Sequence, residues 1–136
     1  MNPLQRDRAS LALAVLVAAG LGYDAYVHLH LASTYDAIGD TITQGALFRV
    51  EAVLAVLTGL AVLASDHRLA WLAAGLTGLG GVGAVLLYRY VDVGAIGPVP
   101  NMYEPIWFGD KTRSAYAEGA VAVLWLLREG LRRRRS

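Results

Sequence analysis

The chain has 136 residues, of which 56% are apolar, and its formal net charge is +1. A mean hydropathy of +0.45 is high for a soluble domain. The absence of cysteine excludes disulfides, thiol nucleophiles, iron–sulfur clusters and thiolate metal sites. The small net charge offers no support for a nucleic-acid partner. We therefore expect the lipid bilayer to be the environment of this chain.

Four apolar stretches are long enough to cross a bilayer. A helix rises 1.5 Å per residue, so about 20 residues cover a hydrocarbon core of ~30 Å. Unpaired backbone groups cannot face lipid, which favours helices. We expect an all-α, integral membrane, up-and-down four-helix bundle, with residues 1–136 forming a single four-span transmembrane domain. The predicted spans are roughly residues 10–31, 45–64, 69–91 and 114–131.

Basic residues are distributed unevenly along the chain. Arg6 and Arg8 precede an apolar run in the outline of a signal peptide, but no A-x-A-like cleavage site follows, so we expect an uncleaved first span. By the positive-inside rule, the side that carries more basic residues is cytoplasmic. Localisation in the cytoplasmic membrane with both termini inside is therefore predicted. The residues that decide it are Arg6, Arg8, Arg68, Arg128 and the run 132–135.

Both outer loops are predicted to be structured. In the first loop, Ser33 is placed to cap a short surface helix, with three apolar residues on one side at helical spacing: Tyr35, Ile38 and Ile42. The second loop, residues 92–112, contains the stretch NMYEPIWFGDK, which mixes aromatic and charged residues. Such a segment is typical of an interfacial lid or of an anchored connector.

The third span contains LAAGLTGLGGVGAV, in which small residues recur four positions apart. Small residues permit close approach of helix backbones in lipid, where packing drives association. This Gly-rich helix is therefore expected at a crowded interface. The interface is either inside the bundle or with a membrane protein partner or a second copy of the chain.

Ionisable residues recur in the outer half of every span. Asp24 and His28 are four residues apart and share a helix face, and Glu51 and Glu118 lie at a similar depth of roughly 6–10 Å. A charge at the bilayer centre costs ~3 kcal/mol, so such residues normally face the bundle interior and pair. The sequence thus predicts a polar pocket lined by Asp24, His28, Arg49, Glu51, Arg89 and Glu118.

Three roles remain open for this cluster. The carboxylates and arginines are sufficient for a structural ion-pair network, as in a non-catalytic accessory or scaffold subunit of a membrane complex. The cluster is also suited to a small organic, lipid-like or anionic ligand, with Arg49 and Arg89 as anchors. Transport through a proton relay is a third role, although the inner halves of the second and third spans offer no ionisable group.

A divalent metal is the cofactor that the cluster would accommodate. Without thiolates, carboxylates and histidine are the donors used for zinc, manganese or non-haem iron. The paired Glu-x-x-His motifs of di-iron bundles are absent, and the D-x-x-x-H spacing is weakly specific. An enzyme is not favoured. The predicted metal ligands are Asp24, His28, Glu51 and Glu118.

The stretches YVHLHLASTYD, QGALFRVEA, LLYRYVDVGAIGP and NMYEPIW carry a resemblance over essentially the whole chain. In these stretches the protein resembles the uncharacterised small four-helix integral membrane proteins of high-GC actinobacteria. The use of eleven arginines against one lysine fits such a source. The resemblance implies the fold and the membrane location, and it brings no catalytic assignment.

Overall fold

The computed structural model describes residues 6–135, which form four long helices. They are α1 (Arg8–Ala32), α2 (Gln44–Ala64), α3 (Arg68–Tyr90) and α4 (Gly109–Arg134), and a 3₁₀ turn, Ser33–Tyr35, follows α1 directly. The all-helical prediction is confirmed. The first three helices match their predicted spans within two residues at each end, whereas α4 begins at residue 109 instead of 114.

Side-chain caps fix where three of the helices begin. Asp7 accepts a hydrogen bond from the N–H of Ser10 at 2.7 Å, and Thr43 caps α2 in the same way at 3.0 Å. His67 accepts from the N–H at the second position of α3 at 3.1 Å. These bonds satisfy backbone donors that a helix start leaves unpaired. Because His67 caps α3 three residues after α2 ends, α2 and α3 must be antiparallel neighbours.

The helices form a closed ring in chain order. Helix α1 packs against α2 and α4, α3 packs against the same two helices, and α1 scarcely contacts α3. Of the four neighbouring pairs, α2 and α3 make the least extensive contact. The buried core is built mainly from small and medium side chains, and its one tryptophan lies in the first turn of α3. The core residues are Ala14, Val17, Leu21, Ala25, Ala52, Ala55, Val62, Trp71, Ala74 and Val121.

The Gly-rich face of α3 lies against α4. A Cβ on Gly75 would overlap the Trp125 ring, and one on Gly78 would lie 2.6 Å from Val121. Such distances are far below van der Waals contact, so only glycine fits there. The crowded interface of the third span is therefore inside the bundle at these positions.

Apolar side chains cover the outside of the bundle. Leu16, Leu57 and Leu76 are each more than half exposed, whereas soluble monomers rarely expose extended apolar patches. In residues 6–135, α1 with its 3₁₀ turn, α2 and α3 are long and apolar enough to cross a membrane. The fourth predicted span forms a helix but does not meet that standard, because charged residues are spread along it: Asp110, Lys111, Arg113, Glu118, Arg128, Glu129, Arg132, Arg133 and Arg134.

Asp66 joins three helices at one end of the bundle, which we call the inner end. Its Oδ1 accepts hydrogen bonds from Ser10 at 2.7 Å, from the Trp71 indole at 3.0 Å and from Arg128 at 3.1 Å. Burial raises the pKa of this carboxyl, but the hydrogen bonds from Ser10, Arg128 and Trp71 outweigh burial, and the pKa lies below its ordinary value. Asp7 and Arg135 pair at the same end.

The first outer loop differs from its prediction. Ser33 continues directly from α1 into the 3₁₀ turn, so the expected surface helix through Ile38 and Ile42 does not form. Gly39 adopts a φ of 108°, which a right-handed helix does not use. This residue turns the chain, and the N–H of Gln44 then bonds the carbonyl of Ile38 at 2.8 Å.

Candidate functional site

Asp24 and His28 form a pair on the inward face of α1. His28 Nδ1 lies 3.0 Å from Asp24 Oδ1 and 2.9 Å from the Asp24 carbonyl oxygen. Two oxygens at this distance place a proton on Nδ1. No residue in the range 6–135 is hydrogen-bonded to Nε2, which leaves that nitrogen available to other groups.

Helix α4 brings two further polar residues to Asp24. Ser114 Oγ lies 3.0 Å from Asp24 Oδ1 and 2.6 Å from Glu118 Oε1. A hydroxyl group has one proton to donate, so it serves one of these oxygens, and the other contact needs a proton on the carboxyl group. Asp24 and Glu118 are both fully buried. Ser114 therefore links a buried carboxyl group of α1 to a buried carboxyl group of its own helix, α4.

A glycine on α3 makes room for Glu118. A Cβ on Gly81 would lie 2.7 Å from the Glu118 carboxyl carbon and closer still to Oε2. The Gly-rich stretch therefore has a second consequence besides helix packing, since it admits a carboxyl group between α3 and α4.

Glu51 completes the cluster from α2. Asp24 has both Glu51 and Glu118 within hydrogen-bonding reach. The Asp24 Oδ2, Glu51 Oε1 and Glu118 Oε2 atoms are buried, and none of them accepts a hydrogen bond from an N–H or hydroxyl group in the described part of the chain. A proton shared between neighbouring carboxyl groups is the pairing that remains to them. The structure thus brings together the four residues predicted as metal ligands, three of them with donor atoms within 4.8 Å of one another: Asp24, His28 and Glu118.

The two arginines predicted as ligand anchors lie elsewhere. Arg49 forms a bidentate pair with Asp36, at 2.7 and 2.9 Å, and both side chains are largely exposed. The guanidinium of Arg89 lies over the rings of Tyr90 and Trp107. Across residues 6–135, no arginine forms an ion pair with the cluster, so the expected network of carboxylates and arginines is not what holds these groups.

A cavity of about 230 Å³ adjoins the cluster. It lies between α2 and α3, at the ends remote from their connecting turn, and α1 and α4 form its back. Its walls are mainly apolar and aromatic, and polar groups occur at its base and mouth. The lining residues used below are His28, Phe48, Glu51, Gly80, Tyr88 and Ser114.

Glu104 closes the roof of this cavity. It accepts a hydrogen bond from Tyr35 at 2.6 Å, and Lys111 contacts its carboxylate at 3.2 Å. Lys111 also donates to the carbonyls of Glu104 and Ile106, and the Glu104 N–H bonds the Tyr88 carbonyl at 3.0 Å. The second outer loop is thereby attached to the ends of three helices, as a lid would be.

Sequence reasoning did not assign Ser114, Lys111, Tyr35 or Glu104 to the site. Ser114 precedes Glu118 by four residues, a spacing that places both on one helix face. Lys111 is the single lysine of a chain that otherwise uses arginine, and this exception could have indicated a specific role for it. The pairing of Tyr35 with Glu104, which are 69 residues apart, had no local signal.

Comparison with known proteins gives no relative from which a role is transferable. We found no significant match for this chain among protein-family models, curated proteins or solved structures.

Proposed function

We propose that this chain is a small multi-pass protein of the cytoplasmic membrane, with both termini cytoplasmic, that binds a small amphipathic molecule between α2 and α3. The outward-facing leucines and three apolar helices support the membrane location. The inner end, where Asp66 and the Asp7–Arg135 pair lie, carries most of the basic residues, which supports the orientation.

One observation carries the binding proposal. Glu51 lies at a mainly apolar cavity, and its Oε1 is buried with no N–H or hydroxyl donor among residues 6–135. A buried carboxyl oxygen without a donor costs ~1–3 kcal/mol or more, which a ligand's hydrogen-bond donor would recover. An alcohol or an amine supplies such a donor, and a carboxylate does not. The proposed ligand therefore has an apolar body and a donor head.

The position of the cavity supports entry from the lipid. It lies at the least extensive helix contact of the ring, and small residues of α3 line it, among them Gly80 and Ala84. Gly80 is exposed, and a Cβ there would meet no atom within 4 Å. A lipophilic molecule would then enter sideways from the bilayer without passing the roof formed by Glu104.

The test compares three amphiphiles that differ only in their head groups: hexanol, hexylamine and hexanoate. Thermal unfolding of the detergent-solubilised protein is measured with each. Hexanol and hexylamine are expected to raise the Tm, because binding to the folded state stabilises it, and hexanoate is not. Gly80→Leu fills the opening and is expected to abolish the shift. Gly83→Leu is the matched control, since Gly83 also faces open space and does not line the cavity.

A scaffold role is the competing account, and the bonds of Ser114 between α1 and α4 favour it. In that case the cavity has no ligand. The three amphiphiles would then give equal shifts, and Gly80→Leu and Gly83→Leu would respond identically. Either of these results would refute the binding proposal.

A further inference from the structure

The cluster below the cavity has more buried acceptors than donors. Asp24 and Glu118 have no exposed surface, and each keeps one oxygen without a partner in the described chain, Oδ2 and Oε2 respectively. The low-dielectric interior makes such atoms costly unless a proton or a cation compensates them. A proton shared between the two carboxyl groups compensates them in the unliganded protein, and a divalent cation that displaces this proton would compensate them as well.

Ser114 fixes one oxygen of each of the two carboxyl groups. It contacts Oδ1 of Asp24 and Oε1 of Glu118, so the bound oxygens are held by the hydroxyl and the other two oxygens are left for another partner. Outer hydrogen bonds of this kind commonly fix the ligands of a metal. Gly81 leaves the space that Glu118 Oε2 occupies, because a Cβ at this position would overlap that oxygen.

His28 supplies a third donor atom near the two carboxyl groups. One donor atom each of Asp24, His28 and Glu118 lie within 4.8 Å of one another. Metal bonds to such atoms are ~2.0–2.2 Å long, so ligand atoms in a formed site are ~3–3.5 Å apart. Formation of the site therefore requires side-chain movements that bring these atoms closer together, and a His28 nitrogen without a proton must be the one that coordinates the ion.

The donor set and its charge restrict the identity of the ion. One imidazole and two carboxylates suit zinc or manganese better than magnesium or calcium, which take oxygen ligands only. Two carboxylates also neutralise a divalent ion completely, which lowers the cost of placing it in a buried site. We propose that Asp24, His28 and Glu118 form a three-ligand site for a divalent transition metal, positioned by Ser114.

The open side of this site faces Glu51 and the cavity. A three-ligand site leaves a coordination position for a further group, and Glu51 lies within reach of Asp24. The metal proposal does not depend on the amphipathic ligand, because two of its three ligands, Asp24 and Glu118, are fully buried and do not line the cavity. Gly80→Leu should therefore block the amphiphile and retain the metal, so the two proposals fail separately.

Zinc binding tests the proposal. The protein is purified in detergent without a polyhistidine tag, stripped with chelator, reloaded with zinc and measured by mass spectrometry for metal content and by isothermal titration for affinity. One equivalent of zinc is expected. Glu118→Gln should weaken zinc binding by at least about 100-fold, and Ser114→Ala by about 10- to 100-fold, as is usual for an outer hydrogen-bonding partner.

Glu129→Gln is the matched control, because it makes the same change on the same helix at the inner end, where Glu129 contacts Arg128 and Arg132. It should bind zinc like the unmodified protein. Circular dichroism identifies variants that have lost their helices. If Glu118→Gln does not fold, Ser114→Ala still tests the site, because it keeps both carboxyl groups. Substoichiometric zinc in the unmodified protein would overturn the proposal, as would equal affinity in Ser114→Ala and Glu129→Gln.

Discussion

Gly81→Ala measures how closely Glu118 packs against α3. The added Cβ would lie 2.7 Å from the carboxyl carbon, whereas carbon atoms prefer ~3.5–4.0 Å, so the carboxyl group must move by about an ångström. That movement breaks the 2.6 Å contact with Ser114. Loss of a hydrogen bond to a carboxyl group costs ~1.5–3 kcal/mol of folding free energy.

The neighbouring glycine provides the reference for this cost. Replacing glycine by alanine in a helix gains ~0.5–1 kcal/mol of backbone entropy at either position. Gly80→Ala meets no atom within 4 Å, so it should show that gain alone. The free energies of unfolding of the two variants should therefore differ by ~1.5–3 kcal/mol, with Gly81→Ala the less stable.

The assay is unfolding by sodium dodecyl sulfate, followed by circular dichroism in mixed micelles. A second pair of variants, made in a Glu118→Ala background, isolates the contact. The difference between Gly81→Ala and Gly80→Ala should disappear there, because the group that the Cβ displaces is missing. Equal stability of the two alanine variants in the unmodified background would refute the packing argument.

Three further predictions concern the inner end, the helix interface and the membrane orientation. Asp66→Asn should lower the free energy of unfolding by ~2–4 kcal/mol at pH 7. Because the pKa of Asp66 in the folded protein is depressed below 3.8, the difference in stability between the two proteins should have its full size above pH 3.8 and shrink as the pH falls further. A difference that stays constant down to pH 2 would contradict this prediction. Gly75→Ala forces a Cβ into the Trp125 ring and should cost at least ~1–3 kcal/mol in the same detergent titration, and a stability equal to that of Gly80→Ala would contradict it. The chain has no cysteine, so single cysteines report topology: on intact cells an impermeant maleimide should label Thr41→Cys and spare Arg134→Cys, and the reverse pattern would invert the proposed orientation.

The helices were predictable because apolar length alone defines them in a chain of this composition. The approximate ends followed from where the apolar runs stop, and the structure agrees for α1, α2 and α3. Helix α4 begins before its apolar segment, with a polar first turn. The prediction missed this turn because hydropathy detects apolar residues and not helix. The surface helix after Ser33 failed for a different reason, since the positive φ of Gly39 outweighs the apolar spacing of its neighbours.

The cluster was predictable in part. Depth and helical phase were enough to bring Asp24, His28, Glu51 and Glu118 together, because intramembrane charges must converge. The same reasoning misplaced Arg49 and Arg89. Their side chains are long enough to leave the level of their Cα atoms, and each finds a partner near the outer surface: Asp36 for the first, and the rings of Tyr90 and Trp107 for the second. The resemblance to actinobacterial membrane proteins stays a prediction.

The pairing of Asp7 with Arg135 brings the first and last helices of the chain together at their free ends. Both ends of the ring meet at the inner end, where α1 begins and α4 stops. A short linker between those points would make the polypeptide circular without crossing the bundle. New ends opened in the loop between α1 and α2 would then preserve every helix contact. A circularly permuted chain with its ends in that loop should therefore reach the same bundle.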